Sequence, residues 1–443
     1  LLHKMARVHQ GPCNCEWAHP FKPDDLRKFM AEPKNRHIFL NAGPIAHFSA
    51  GDLSKPLVGA EMSSSNQLHP AGYGFVVESG YFVKIAPADE IASEYGGDVQ
   101  FTDLKGRAII PGFVDAHTHL LWDGDRSNEM SMRQKGMSYA QIAAQGGGIR
   151  HTVSQTRKSA KLETKGVARC NRAFANGTTA MEVKSGYGLD TDSELSLLQI
   201  YQNLQTLTDI NLHATWMGAH DIPNGIDRAT YVEHLLSEQL PAVLDQGIAT
   251  SADVFCEPGW FTLEDTEEIC KAARKGGLRL RLHVDEFKDG GGLELAAELN
   301  ADTADHAIHS SEDARASAAE AGTLQGFLPG TPYVMGSDIW PPIQKCIDEE
   351  WPWTIATDFN PNCKTLSIPM AGSLVSHRLK IDPIATLAAV TRNPATGLSE
   401  GIIEQGVIKI GGKANFSQLE SEYIESWCQS PGHSGIKNTW IMN

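Results

Sequence analysis

The stretch Ala108-Ile109-Ile110-Pro111-Gly112-Phe113-Val114-Asp115-Ala116-His117-Thr118-His119 opens as an apolar run and ends in two histidines one residue apart. The run reads as a strand over Ala108 to His119. Strand side chains alternate between faces, so His117 and His119 project to the same side and can grip one metal ion from adjacent rungs. Neutral imidazole suits zinc or ferrous iron. Taken alone, the pair reads equally well as two partly exposed histidines at a strand end.

Seven more candidate strands follow, over Thr178 to Lys184, Asn211 to His220, Ala252 to Cys256, Leu278 to His283, Ala304 to Ile308, Leu324 to Leu328 and Trp353 to Asp358. Helical periodicity lies between them, as in Ser193 to Leu204, Leu263 to Arg274 and Ser311 to Ala321. Alternating strand and helix signals argue for a parallel sheet, and eight such units in about 285 residues is the size of a (β/α)8 barrel. Catalytic groups of that fold sit at the C-terminal ends of strands. Here His119, Lys184, His220 and His283 close strands, Glu257 follows one, His306 lies in the sixth and Asp358 ends the eighth. Each strand can contribute one ligand, so His283 and Asp358 complete a set of three imidazoles and a carboxylate with His117 and His119. Such a set leaves a position open for water, whose pKa a divalent metal lowers towards neutrality.

The flanks differ. Gly74-Phe75-Val76-Val77 and Tyr81-Phe82-Val83-Lys84-Ile85 lie between Gly, Pro, Ser and Asn clusters, as short antiparallel strands do. Val407 to Lys413 and Asn438 to Met442 look alike, so the two chain ends are expected to pair into one small β-sandwich. The resulting α/β organisation is an N-terminal extension over 1–36, a first sandwich segment over 37–110, a (β/α)8 TIM-like barrel over 111–395 and a second sandwich segment over 396–443. Cys13, Cys15 and His19 in the extension could bind a metal, but lack a second ligand pair at finger spacing.

Composition narrows the classes. Of 443 residues, 41% are hydrophobic and 21% charged, near globular averages. A formal charge of -16 would repel nucleic acid and anionic lipid over most of the surface, but not a small anion in a cleft holding a few cations. Eight sparse cysteines fit free thiols in a reducing compartment. With no run of eighteen apolar residues and no leader-like pattern in Leu1 to Ala6, the expectation is a cytoplasmic protein without membrane or nucleic-acid partners.

Pro111 to His119 resembles the opening motif of the amidohydrolase superfamily. Narrower motifs, Gly124-Asp125-Arg126, Gly146-Gly147-Gly148-Ile149, Lys184-Ser185-Gly186-Tyr187-Gly188-Leu189, Gly218-Ala219-His220, Asp253-Val254-Phe255-Cys256-Glu257, His283-Val284-Asp285-Glu286 and Asp358-Phe359-Asn360-Pro361, resemble the imidazolonepropionase family over roughly residues 37 to 443. The resemblance implies hydrolysis of the cyclic amide C–N bond of 4-imidazolone-5-propanoate to N-formimidoyl-L-glutamate, in histidine degradation, by a homodimer. It implies one zinc or iron ion on His117, His119, His283 and Asp358, with Asp358 as general base and then acid. Arg126 and Tyr139 would meet the propionate, for which a guanidinium fork is well shaped. Tyr187, His220, Glu286 and Asn360 would line the ring and the product's polar groups, with Glu286 fixing the ring tautomer. His306 would polarise the reacting centre. Lys184 has no role in that pattern and is read as structural.

Bland readings stand beside these: a surface ion pair for Arg126, helix packing for Tyr139. Asn362 and Cys363 stand where Gly followed by Ser or Thr is frequent, and as candidate substrate-binding residues they bear on preference. Asp123 adds a negative charge beside Arg126, either weakening anion binding or pairing with another cation. Asn415 replaces a typical Asp. Two rival functions are a cyclic amidohydrolase or deaminase for another azole or pyrimidine, and a silent scaffold barrel, which would be expected to have lost ligands.

Overall fold

The computed structural model of the chain describes residues 35–95, 100–137, 141–142, 145–398 and 401–442. Cys13, Cys15, His19 and Tyr139 lie outside these residues.

Ahead of the barrel run β1 (Arg36–Leu40), β2 (Ile45–Ala46), β3 (Leu68–His69), β4 (Tyr73–Glu78), β5 (Tyr81–Pro87), β6 (Gln100–Asp103) and β7 (Ile109–Pro111). The barrel strands are β8 (Phe113–Asp115), β9 (Thr178–Lys184), β10 (Asn211–Ala219), β11 (Ser251–Cys256), β12 (Arg279–Val284), β13 (Thr303–His306), β14 (Leu324–Phe327) and β15 (Trp353–Ile355). The chain ends with β16 (Asn415–Leu419) and β17 (Ile436–Ile441).

Strands β8 to β15 follow one another in sequence order around an all-parallel sheet. Its first and last strands meet just beyond their ends. Thr118 bridges Phe359 in parallel, the His119 N–H donates to Phe359 O at 2.8 Å, and the Asp358 N–H donates to His117 O at 3.1 Å. The bonds that close the barrel thus run between the two segments carrying three of the four expected ligands.

The expected helices form where side-chain oxygens satisfy their first N–H groups. Asp190 caps Thr191–Leu204, Thr262 and Asp265 make a reciprocal capping box on Leu263–Lys275, and Ser311 caps Glu312–Ala321. In β12 the pleat sends the fully buried Leu280, Leu282 and Val284 outward towards this helical layer and Arg281 and His283 inward. The barrel interior is accordingly polar at the end that holds the site.

The two chain ends make one sandwich. β5, β4, β1 and β6 form one sheet, and β17, β16, β7, β2 and β3 the other, with β16 antiparallel to β7. Phe39 and Phe75 meet Phe416 of the C-terminal segment with ring centroids 4.9 to 5.1 Å apart. These rings share one core with Phe82, Ile109 and Ile408.

Two expected strands are corrected. Ala108 to His119 is not continuous: Ile109–Pro111 pairs in the sandwich, Phe113–Asp115 in the barrel, and the chain passes between them at Gly112. A β-carbon on Gly112 would stand 2.2 Å from Thr179 Oγ1, so only glycine permits this approach. The apolar run has no polar break because both halves enter cores. Val407 to Lys413 is mostly irregular, since Lys409 to Gly412 turns with Gly411 at φ 78°, and the strand begins at Asn415. Only Lys413 of that stretch bridges a strand, at Tyr81.

Candidate active site

His117, His119 and Asp358 bring ligand atoms within 4.8 Å of one another, as do His117, His283 and His306. All five side chains are buried. His117 Nε2 lies 3.7 Å and His119 Nε2 3.9 Å from Asp358 Oδ1, and His119 Nε2 is 3.4 Å from His283 Nε2. Ligands each about 2.1 Å from a shared ion are separated by roughly this distance in a tetrahedral or slightly expanded site. His117 Nε2 has no hydrogen-bond partner. A buried, unsatisfied imidazole nitrogen facing other donors is what a metal ligand is without its ion.

The second ring nitrogens of His117 and His283 are held by carboxylates. His117 Nδ1 pairs with Asp305 Oδ2 at 2.7 Å, and His283 Nδ1 with Asp253 Oδ1 at 2.9 Å. Donation from Nδ1–H to a carboxylate places the lone pair on Nε2, towards the centre. Lys184 donates to the other oxygen of Asp253 at 2.7 Å and to Glu182 at 2.9 Å, all fully buried. Burial pushes the Asp253 carboxyl up, but the His283 ring and the Lys184 ammonium outweigh it and hold the group below the usual carboxylate range. Lys184 is therefore an ion-pair partner behind the ligands, in keeping with its structural reading.

His306 follows Asp305 directly, so the pleat alone would send the two side chains to opposite faces. The strand ends there, with His306 at φ 68° and Ala307 at φ 46°, and the His306 ring lies 5.3 Å from that of His283. Burial lowers the proton affinity of His117, His119 and His306, keeping these rings neutral. Asp358 also sits at positive φ, 49°, in a region where Asp is among the tolerated residues. Burial raises its pKa against the opposing bonds from Thr331 and Asn360.

Above the ligands opens a narrow cleft. It is lined by His119, His283, His306 and Asp358, by Arg126, Tyr187, His220 and Glu286, and by Asn360 and Asn362. His220 donates from Nδ1 to Gly186 O at 2.8 Å and stacks on His119 with centroids 4.9 Å apart. Burial brings its pKa down to about 3, so its Nε2 is an acceptor. Glu286 is 13% exposed, and burial, with Asp358 and Glu257 nearby, pushes its carboxyl well above the usual range. Its Oε2 lies 3.7 Å from His306 Nε2.

Three expectations need restating. Cys363 is absent from the cleft lining: its Sγ lies 3.8 Å from Thr357 O, and its N–H donates to Asn360 Oδ1 at 2.9 Å. The Asn360 amide is committed to the chain, donating to Asp358 Oδ1 at 2.8 Å, so it braces the carboxylate from the cleft wall. Asp123 bonds Lys165 and Ser159, which resolves its two readings in favour of pairing with another cation.

Sequence reasoning missed Ile149, Phe255, Phe287, Thr331 and Met335 in the lining. Thr331 donates to Asp358 Oδ2 at 2.5 Å. Its signal was its place in Leu328-Pro329-Gly330-Thr331, just past β14, the one strand to which no polar residue had been given.

The chain is similar to known proteins along most of its length. An imidazolonepropionase of Alkaliphilus metalliredigens is 39% identical over 352 residues, 77% of this chain and 82% of that relative. One of Symbiobacterium thermophilum is 37% identical over 382 residues, 84% of this chain and 88% of that relative. Among solved structures, a guanine deaminase of C. acetobutylicum superposes with a TM-score of 0.64 at 14% identity, over 92% of this chain and 99% of the other. An ochratoxinase of A. niger does so with a TM-score of 0.64 at 15% identity, over 93% and 95%. At such identities these two establish the shared fold alone. No family model matches the chain.

Proposed function

The chain belongs to the imidazolonepropionase family, and from that premise we propose how its residues carry out the reaction. The activity is metal-dependent hydrolysis of the cyclic amide C–N bond of 4-imidazolone-5-propanoate to N-formimidoyl-L-glutamate, a step of histidine degradation. The observation that carries this reading is the convergence of His117, His119, His283 and Asp358 at the mouth of the barrel.

These four residues would hold one divalent ion, zinc or iron, which when bound supplies Lewis acidity and lowers the pKa of water. Asp358 accepts the proton of the attacking water and returns it to the departing ring nitrogen. Thr331 and Asn360 hold its plane while it does so. His306, kept neutral by burial, orients the reacting carbonyl and stabilises the developing oxyanion. Glu286 hydrogen-bonds the ring nitrogens and selects the tautomer. Tyr187 and His220 pack along the ring, and Arg126 meets the propionate with its fork. Tyr139 is assigned to the same carboxylate on family resemblance alone. Asn362 offers an amide to the substrate from the cleft wall, whereas Cys363 acts through its backbone N–H on Asn360.

We propose a cytoplasmic homodimer acting on a small anionic substrate, with the sandwich drawn from the segment up to Pro111 and the segment after about residue 395, and the barrel running between them from Gly112. No helix among the described residues is long and apolar enough to cross a membrane. The deciding experiment follows the disappearance of freshly prepared 4-imidazolone-5-propanoate with zinc- or iron-loaded protein, using hydantoin and guanine as controls. Turnover of the propanoate alone is expected. Deamination of guanine in its place, or an inert loaded protein, would overturn the reading.

A further inference from the structure

Arg126 and Glu129 are both buried, 4% and 2% exposed, at the rim of the cleft. Glu129 takes two hydrogen bonds from Arg126, from Nε to Oε1 and from Nη2 to Oε2, each 2.8 Å. The same Oε1 accepts the N–H of Gly148 at 2.9 Å. Gly148 is the first residue of the helix Gly148–Thr156, whose next residue, Ile149, lines the cleft beside Arg126. Gly147 must be glycine for this approach, because a β-carbon there would stand 2.8 Å from Glu129 Oε1. The Gly146-Gly147-Gly148-Ile149 motif, which the hydrolytic chemistry leaves without a role, thus acts as a seat for one carboxylate.

A guanidinium is planar, and a carboxylate bonded to two of its nitrogens fixes the plane's orientation as well as its position. We propose that Glu129 is a positioning residue for substrate recognition: by bridging Arg126 and the Gly148 N–H, it holds the Arg126 guanidinium in the orientation that receives the substrate's carboxylate. The inference rests on the reading of Arg126 as the carboxylate-binding residue. It opposes the simplest electrostatic expectation. A buried carboxylate beside the arginine cancels its charge, so a purely neutralising Glu129 would weaken anion binding, and its removal would strengthen it.

The test uses full-length, metal-loaded protein with two substrates, 4-imidazolone-5-propanoate and the corresponding propanamide, which lacks the carboxylate. In Glu129→Gln, KM for the propanoate should rise about tenfold or more, as for a lost charge-assisted contact, with kcat within about threefold. KM for the propanamide should stay within about twofold. Glu129→Asp keeps the charge but cannot span both partners, and should show the same carboxylate-specific rise if Glu129→Gln folds poorly. A lower or unchanged KM for the propanoate in both variants, or equal losses on both substrates, overturns the proposal. Arg126→Gln separates the two levels. If it raises KM for the propanoate while the Glu129 variants do not, only the positioning role falls; if it leaves that KM unchanged, the assignment of Arg126 itself fails.

Discussion

Asp253 and His283 face each other across neighbouring strands of the barrel, with the imidazole Nδ1 2.9 Å from the carboxylate that Lys184 holds from its other side at 2.7 Å. This chain fixes both the tautomer and the basicity of a metal ligand from behind. Asp253→Asn removes the charge while nearly preserving shape, and Lys184 keeps Glu182 as its partner. Zinc affinity, read by competition with a chromophoric chelator, should fall roughly 10- to 100-fold. Near-UV circular dichroism should stay native. An undiminished affinity would mean that the pair only neutralises buried charge.

Asp123 poses the opposite case, a carboxylate close to the cleft in sequence that does not serve it. Partial burial pushes its carboxyl up, but Lys165, Ser159 and the Gly124 N–H outweigh this and hold it at about 2. A depressed folded pKa contributes stability that is fully present above the unfolded value of about 3.9 and is lost as pH falls through the folded value of about 2. With a quarter of the side chain exposed, the pair contributes at most about 1 kcal/mol. Asp123→Asn should therefore lower the melting temperature slightly at pH 7, with the difference from the parent shrinking as pH falls through about 2. KM for the propanoate should not change; a clear fall in KM would show that its charge does reach the anion site.

The chemistry of the site was legible where a single rule governed it. One residue at each strand end faces the mouth of a parallel barrel, and His119, His220 and His283 follow from that rule and the strand count. Whatever depended on closure was not legible. His117 and Asp305 are 188 residues apart and meet only once the strands are in register. The inward turn of His306 rests on a backbone φ of 68°, which no side-chain pattern encodes. The division of Ala108 to His119 between two sheets was hidden because apolar residues suit either core, and Gly112 was the only mark of the boundary.

That boundary makes its own prediction. Gly112→Ala places a methyl 2.2 Å from Thr179 Oγ1, and 2.3 Å from its Cγ2, within β9. Relief requires β8 to move away from β9 and strains the passage into the sandwich, so a cost of about 1–3 kcal/mol is expected. Thermal denaturation should show the loss. Thr179→Ala on that background should recover some of it, because the hydroxyl and methyl are removed while the Cβ, 2.7 Å away, remains. Strictly additive effects in the double variant would place the cost elsewhere.

Asp358 carries the heaviest demand, since it is both an expected ligand and the proton carrier. Its Oδ2 accepts from Thr331 and its Oδ1 from Asn360 at 2.8 Å, and its backbone helps to close the barrel through a bond to His117 O. Asp358→Asn leaves the backbone bond and the side-chain volume intact, so the melting temperature of the metal-free protein should move little. The amide cannot take the proton of water at neutral pH, and kcat should fall at least about a thousandfold. Metal analysis of the same sample separates the two roles. With His117, His119 and His283 still present, bound zinc at reduced but measurable occupancy together with absent turnover assigns the proton transfer to this carboxylate. Near-normal turnover at partial occupancy would move that role to another group.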